Sequence, residues 1–157
     1  MTPSQLTILK AAILAETTPA FVTLRQANNE QGMADWYNGA STFIVWKPTV
    51  TIIETGQVFN GTEWAGMTSA NHTRLQTVAQ YLSSYNPGIA DIRAMFNDIW
   101  SGAGGTNTRA ALLALWKRVA LRGEKVFATG TGTDALPGTL TFISTLSAQD
   151  ISDALRA

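Results

Sequence analysis

The sequence predicts a mainly α-helical fold, a bundle of about five or six helices with a minor β element near the C-terminus. Three observations predict it. Apolar residues recur at helical spacing in several stretches. Helix-start patterns precede those stretches: Thr2-Pro3-Ser4-Gln5, Thr18-Pro19 and Thr51-Ile52-Ile53-Glu54. Strand-like runs are confined to two short segments, 42–46 and 139–143.

Taken in order, Thr2 suits a cap, Pro3 the first helical position and Gln5 the closing of a capping box. Leu6, Leu9 and Ile13 then share one face of a helix expected to stop near Glu16. A second helix is expected from Pro19, with Phe21, Val22 and Leu24 near its start. Met33, Ala34, Trp36 and Tyr37 mark a further helical stretch ended by Asn38-Gly39. Segment 42–46 (TFIVW) reads as a strand or a buried extended piece stopped by Pro48. The capping-box pattern at Thr51 to Glu54 predicts a short helix, and Asn60-Gly61 a turn.

Residues 69–84 read as a helix with Leu75, Val78, Ala79 and Leu82 in register, broken by Asn86-Pro87-Gly88. Ile89, Ile92, Phe96, Ile99 and Trp100 define the next helix, and 101–105 (SGAGG) a flexible break. The longest helix is expected from a Thr106 cap to about Phe127. Its apolar face carries Leu112, Leu115, Trp116, Val119, Gly123 and Val126. Gly130, Gly132 and Pro137-Gly138 mark a loop, and 139–143 (TLTFI) alternates like a strand. A short capped helix over 147–157 closes the chain. The expected organisation is a helical domain over 1–136. The segment 137–157 is either part of it or an assembly arm.

At 157 residues a chain can bury roughly two-thirds of its unfolded surface, so a core needs no staples. Charged residues make up only 14%, against about 25% in typical soluble domains. Interface cores are depleted in charge, so the deficit fits either a polar uncharged surface or one covered by neighbouring subunits. The formal net charge is zero, which disfavours long-range attraction to nucleic acid or an anionic membrane. Without cysteine there is no disulfide framework and no thiolate chemistry. The N-terminal MTPSQLTILKAAILAE lacks a basic n-region and a long apolar run, so neither a signal peptide nor a membrane partner is expected.

The residues do not assemble a catalytic signature, and no catalytic, cofactor or metal site is expected. His72 is the single histidine, and a polar role at a helix start accounts for it. Gly102-Ala103-Gly104-Gly105-Thr106 precedes a helix as a phosphate cradle does, but it lacks the Lys-Ser/Thr pair of a P-loop. Gly130-Thr131-Gly132 follows a helix and suits a C-cap and turn. The carboxylates are spaced apart, and Asp150 and Asp153 suit the first turns of the last helix. On the expected long helix Arg118, Arg122 and Lys125 share one narrow face, which is either a solvated basic face or a strip facing DNA or an acidic partner. Of five tryptophans, Trp100 and Trp116 lie on apolar helical faces and are expected in the core.

Several motifs carry a family resemblance. Ile13-Leu14-Ala15-Glu16, Gly32-Met33-Ala34-Asp35-Trp36-Tyr37-Asn38, Val45-Trp46-Lys47-Pro48, the run 118–132 (RVALRGEKVFATGTG) and 137–142 (PGTLTF) occur in order along the chain. Together they resemble small helical virion structural proteins of tailed bacteriophages; residues 60–84 match less clearly. The resemblance implies a non-enzymatic head-to-tail connector (adaptor) built as a ring homo-oligomer. Its expected partners are the portal protein and tail or neck proteins, with non-specific contact to packaged DNA. Its expected place is the virion, after assembly in the host cytoplasm. A tail-completion, minor capsid or other tail protein fits the same resemblance. A small DNA-binding protein is the alternative of another class. On this reading Arg118, Arg122 and Lys125 face the DNA channel or an acidic neighbour. The strand-like tail brings Leu140, Phe142 and Ile143 to a partner's sheet edge. Deleting 137–157 is then expected to leave the helices folded and to stop assembly.

Overall fold

The computed structural model describes all residues, 1–157. In chain order the elements are α1 (Pro3–Ala15), α2 (Pro19–Gln26), α3 (Glu30–Tyr37), β1 (Ala40–Trp46), β2 (Val50–Thr51), α4 (Ile52–Gln57) and α5 (Gly61–Ala65). They continue with α6 (Ser69–Tyr81), β3 (Ser84–Tyr85), α7 (Ala90–Ile99), a 3-10 turn (Ala103–Gly105) and α8 (Thr106–Leu115). The chain ends with β4 (Lys117–Leu121), α9 (Arg122–Val126), β5 (Ala128–Thr129), β6 (Thr139–Leu140) and α10 (Ala148–Arg156). The fold is mainly helical with small two-stranded sheets, β1 with β4, β2 with β3 and β5 with β6. Ten short α-helices replace the five or six expected.

The chain divides into two units: Met1–Val45 with Val119–Ala157, and Trp46–Arg118. The segment 137–157 belongs to the first unit.

In the first unit the capping box expected at the start of α1 forms. Thr2 Oγ1 accepts from the Gln5 N–H at 3.2 Å, and Gln5 Oε1 accepts from the Thr2 N–H at 2.9 Å. Thr18 departs from its expected capping role; its hydroxyl donates instead to Glu16 Oε1 at 2.6 Å. Leu9 and Ile13 of α1, Phe21 of α2, Met33 and Ala34 of α3, and Ile151 and Ala154 of α10 are fully buried in one core. Each large apolar side chain removed from water there contributes roughly 1.5–3 kcal/mol.

The last helix is therefore structural. α10 packs on α1 and α3. Asn38 ties the segment before α10 into the unit: its Nδ2 donates to the Leu146 carbonyl and its Oδ1 accepts from the Leu146 N–H, both at 2.8 Å. Removing 137–157 strips Leu146, Ile151 and Ala154 from the core, so the expectation that the remainder stays folded is withdrawn. The strand expected over 139–143 shrinks to Thr139–Leu140, antiparallel to β5. Nearby, Gly132 (φ +66°) sits where any Cβ would run into the Phe43 ring.

In the second unit Val50, Leu75, Tyr85, Phe96, Ile99, Trp100, Leu112 and Trp116 form the core. Trp100 and Trp116 are buried there, as their helical positions predict. β2 and β3 pair antiparallel, Val50 opposite Tyr85. That pairing claims Ser84 and Tyr85, so the helix expected over 69–84 stops at Tyr81. α4 opens with the expected box: Thr51 Oγ1 accepts from the Glu54 N–H at 3.1 Å, and Glu54 Oε2 accepts from the Thr51 N–H at 2.8 Å. Asn60, expected in a turn, instead caps α5 by accepting from the Thr62 and Glu63 N–H groups.

The largest correction concerns the helix expected over 106–127. It ends at Leu115, becomes β4, and resumes as α9. The apolar period continues through the break, but tertiary hydrogen bonds override it. The Trp116 carbonyl accepts from the Lys47 N–H at 2.7 Å, and the Arg122 N–H donates to the Gly39 carbonyl at 2.9 Å. A continuous helix would use those same groups internally. Ser41 on β1 adds a bond from its hydroxyl to the Ala120 carbonyl of β4 at 2.7 Å.

Candidate functional site

With that helix broken, Arg118, Arg122 and Lys125 do not share a helical face. Arg118 lies on β4, half-buried and engaged with other groups. Arg122 opens α9 and Lys125 lies three residues on. Those two line one cleft of about 450 Å³ in the first unit, with Glu16, Thr18, Trp36 and Tyr37 among its walls.

Arg122 is held in a fixed pose. Its guanidinium carbon stands 4.5 Å from the Trp36 ring centroid, and Nη1 donates to the Trp36 carbonyl at 2.9 Å. Such a stack and a charged hydrogen bond together restrain a side chain that is otherwise rotamer-rich. Trp36 rests in turn on Phe21 and Tyr37, at centroid distances of 4.8 and 5.1 Å. The cation is thus mounted on the core through an aromatic ladder.

Two further groups set the electrostatics. Glu16 accepts from the Thr18 hydroxyl at 2.6 Å and from its N–H at 2.9 Å, and these bonds hold the carboxyl below the usual carboxylate range. Burial, followed by the negative charge of Glu16, pushes the Tyr37 phenol well above its ordinary value. The cleft therefore presents two cations, one anion and a neutral phenol. Ser41, also on its wall, has its hydroxyl committed: it donates to the Ala120 carbonyl and accepts from the Phe43 N–H at 3.1 Å. The arrangement suits holding an anionic or polar group against an aromatic wall.

The other sequence candidates have local explanations. His72 meets Trp64 edge-on, with ring centroids 4.7 Å apart. The glycine-rich approach to α8 does not leave its N-terminus open. Glu63 fills it, its carboxylate accepting from the Asn107 and Thr108 N–H groups at 2.8 and 2.7 Å. Asp150 closes a capping box with Ser147, and Asp153 accepts from Gln149 Nε2 at 2.7 Å. No group of three or more His, Cys, Asp or Glu side chains is placed to hold a metal ion. No single helix is long and apolar enough to cross a membrane.

Of the expected assembly residues, Leu140 is half-buried on β6, paired with Ala128. Phe142 is half-buried too, its ring 5.0 Å from that of Phe127. Ile143 remains 55% exposed. Sequence reasoning missed the part played by Trp36. Its partner Arg122 is far away in the chain, and no local pattern signals a stack across that separation.

Comparison with known proteins finds no matching family model, no matching curated protein and no matching solved structure. What defines the class is the fold and cleft: a small, mainly helical chain with a built cationic recess.

Proposed function

We propose that the chain is a virion structural protein of a tailed bacteriophage, a head-to-tail connector (adaptor) subunit. It forms a homo-oligomeric ring joining the portal to tail or neck proteins around the DNA channel. The helices of each unit serve as a rigid bundle, and the work is done by contact without catalysis. The observation that carries this is a surface poor in charge and rich in large apolar side chains. In a chain with 14% charged residues, Ile8, Leu14, Leu136 and Ile143 stand exposed on the first unit, and Ile53 and Tyr81 on the second. Scattered apolar residues are ordinary; here they combine with a charge deficit of the kind interface cores show. Arg122 and Lys125 supply contacts to phosphates of the packaged DNA or to an acidic neighbour, fixing position without reading sequence. The motif resemblance to phage virion proteins adds to this.

The test is native mass spectrometry and electron microscopy of the purified full chain, alone and mixed with portal. Closed rings are expected, and Ile143→Asp is expected to weaken them while leaving the circular dichroism unchanged. A chain that stays monomeric alone and with portal at micromolar concentration overturns the proposal. A tail-completion, minor capsid or tail role is separated from the connector by locating the chain in the particle. A small DNA-binding protein is the reading to adopt if duplex affinity survives without any assembly.

A further inference from the structure

The second unit carries its own cationic recess. α7 places Arg93 and Asn97 four residues apart, hence on one helix face, and α8 does the same with Arg109 and Leu113. With Trp46 and Ser101 these side chains line a cleft of about 570 Å³.

Both guanidiniums are positioned by main-chain oxygens. Arg93 lies 4.2 Å over the Trp46 ring and donates to the Pro87 carbonyl at 2.5 Å. Arg109 donates through Nη1 to the Trp100 and Gly102 carbonyls, the latter at 2.9 Å, and through Nη2 to the Thr106 hydroxyl at 3.4 Å. Carbonyls fix the direction of a guanidinium without neutralising its charge. A guanidinium has five N–H donors in a planar fork, so the one bond of Arg93 and the three of Arg109 leave part of each fork available. Partial burial, which pulls the Arg93 pKa below its ordinary value, marks a charge short of solvent. Two fixed cations on helices, beside an amide and a hydroxyl, make a recess suited to an oxyanion.

The rest of the lining decides which oxyanion. Trp46 and Leu113, the latter 41% exposed, give the recess an apolar wall. Duplex phosphates run along an extended backbone and gain little from an indole and a leucine in a concavity. A carboxylate in a peptide arrives flanked by methylenes and apolar side chains that fill such a wall. Tryptophan and arginine are also the residues that dominate protein–protein hot spots.

We propose that this cleft binds an acidic segment of a partner polypeptide. A Glu or Asp carboxylate meets Arg93 and Arg109, and an adjacent apolar side chain lies on Trp46 and Leu113. The inference does not depend on the virion reading, since a partner of any origin with that chemistry satisfies it.

The test is calorimetric titration of the full chain, at physiological salt, with capped peptides Leu-Glu-Glu-Leu and Leu-Gln-Gln-Leu and with a short DNA duplex. The glutamate peptide is expected to bind at least about tenfold more tightly than the glutamine peptide, a difference of about 1.4 kcal/mol. Arg93→Gln is expected to abolish that preference. Because Arg93 also ties the Pro87 turn, Leu113→Glu serves as the second variant. It sets a carboxylate on the exposed side of α8 as an internal competitor and is expected to weaken the glutamate peptide about tenfold without moving the thermal midpoint. Equal binding of the two peptides overturns the proposal. So does duplex binding that responds to Leu113→Glu while neither peptide binds.

Discussion

The two units mount an arginine on a tryptophan in the same way and bury a tyrosine in different ways. In the first, Arg122 stacks on Trp36 and donates to that residue's own carbonyl; in the second, Arg93 stacks on Trp46 and donates to Pro87. The tyrosines diverge. Tyr37 lines the cleft beside Glu16. Tyr85 sits inside a closed chain of hydrogen bonds whose direction follows from proton counting. The Thr55 hydroxyl donates its single proton to the Thr51 carbonyl at 2.8 Å, so Tyr85 must donate to Thr55 Oγ1 at 2.7 Å. Tyr85 in turn accepts from Trp116 Nε1 at 2.9 Å. One unit thus keeps a phenol at a recess, and the other uses one to bind helix, sheet and core together.

The sharpest break of this comparison is to empty one core at a time. Phe21→Ala and Phe96→Ala each remove a fully buried ring and are expected to cost about 3–5 kcal/mol. Hydrogen exchange monitored by mass spectrometry should show the faster amides confined to α1, α2, α3 and α10 for the first variant and to α7 and α8 for the second. Uniform loss of protection in both variants would show that the two cores unfold as one.

The tyrosines give a difference of intermediate size. Tyr85→Phe leaves Trp116 Nε1 without its acceptor and is expected to cost about 1–3 kcal/mol at neutral pH. Tyr37→Phe is expected to cost less than about 1 kcal/mol there. Its effect emerges in alkali. Burial raises both phenols, Thr55 and Trp116 opposing the rise at Tyr85. An unfolded phenol loses its proton near pH 10 while the folded one keeps it. The unfolded state then binds fewer protons, so stability is full below pH 10 and falls above it. The slope is at most about 1.4 kcal/mol per pH unit for each tyrosine, reached while its folded phenol stays protonated. Denaturant midpoints across that range should show a shallower fall in either variant than in the parent chain.

How much was legible follows the range of the interaction. The Thr2–Gln5, Thr51–Glu54 and Ser147–Asp150 caps lie within one turn, and the sequence pattern identifies all three. The break after α8 is not legible, because the groups that hold the following segment belong to Lys47, which meets Trp116, and Gly39, which meets Arg122, both remote in sequence. The candidate strip failed for that reason: Arg122 and Lys125 still meet at one recess, while Arg118 is carried off on β4. The stacking partners Trp36 and Trp46 were visible only as unassigned tryptophans. The sequence leaves α10 as either part of the domain or an arm, because a capped, acidic-start helix looks the same whether or not its apolar face is covered.

The smallest expected effect concerns two tryptophans of the second unit. Trp116 Nε1 donates to Tyr85, whereas Trp100 Nε1 is buried with no protein acceptor in reach. An unsatisfied buried donor costs about 1–3 kcal/mol. Trp100→Phe removes that cost together with part of a packed ring, and the two changes oppose each other. Its net effect is expected to fall within about 1 kcal/mol of zero. Trp116→Phe loses a comparable share of ring and also the bond to Tyr85, so it should be the worse of the pair. Paired urea melts read the difference directly. Equal losses in the two variants would mean that a buried water already serves the Trp100 N–H. The small cavity beside it, with the Glu63 and Asn71 side chains on its wall, is where that water would sit.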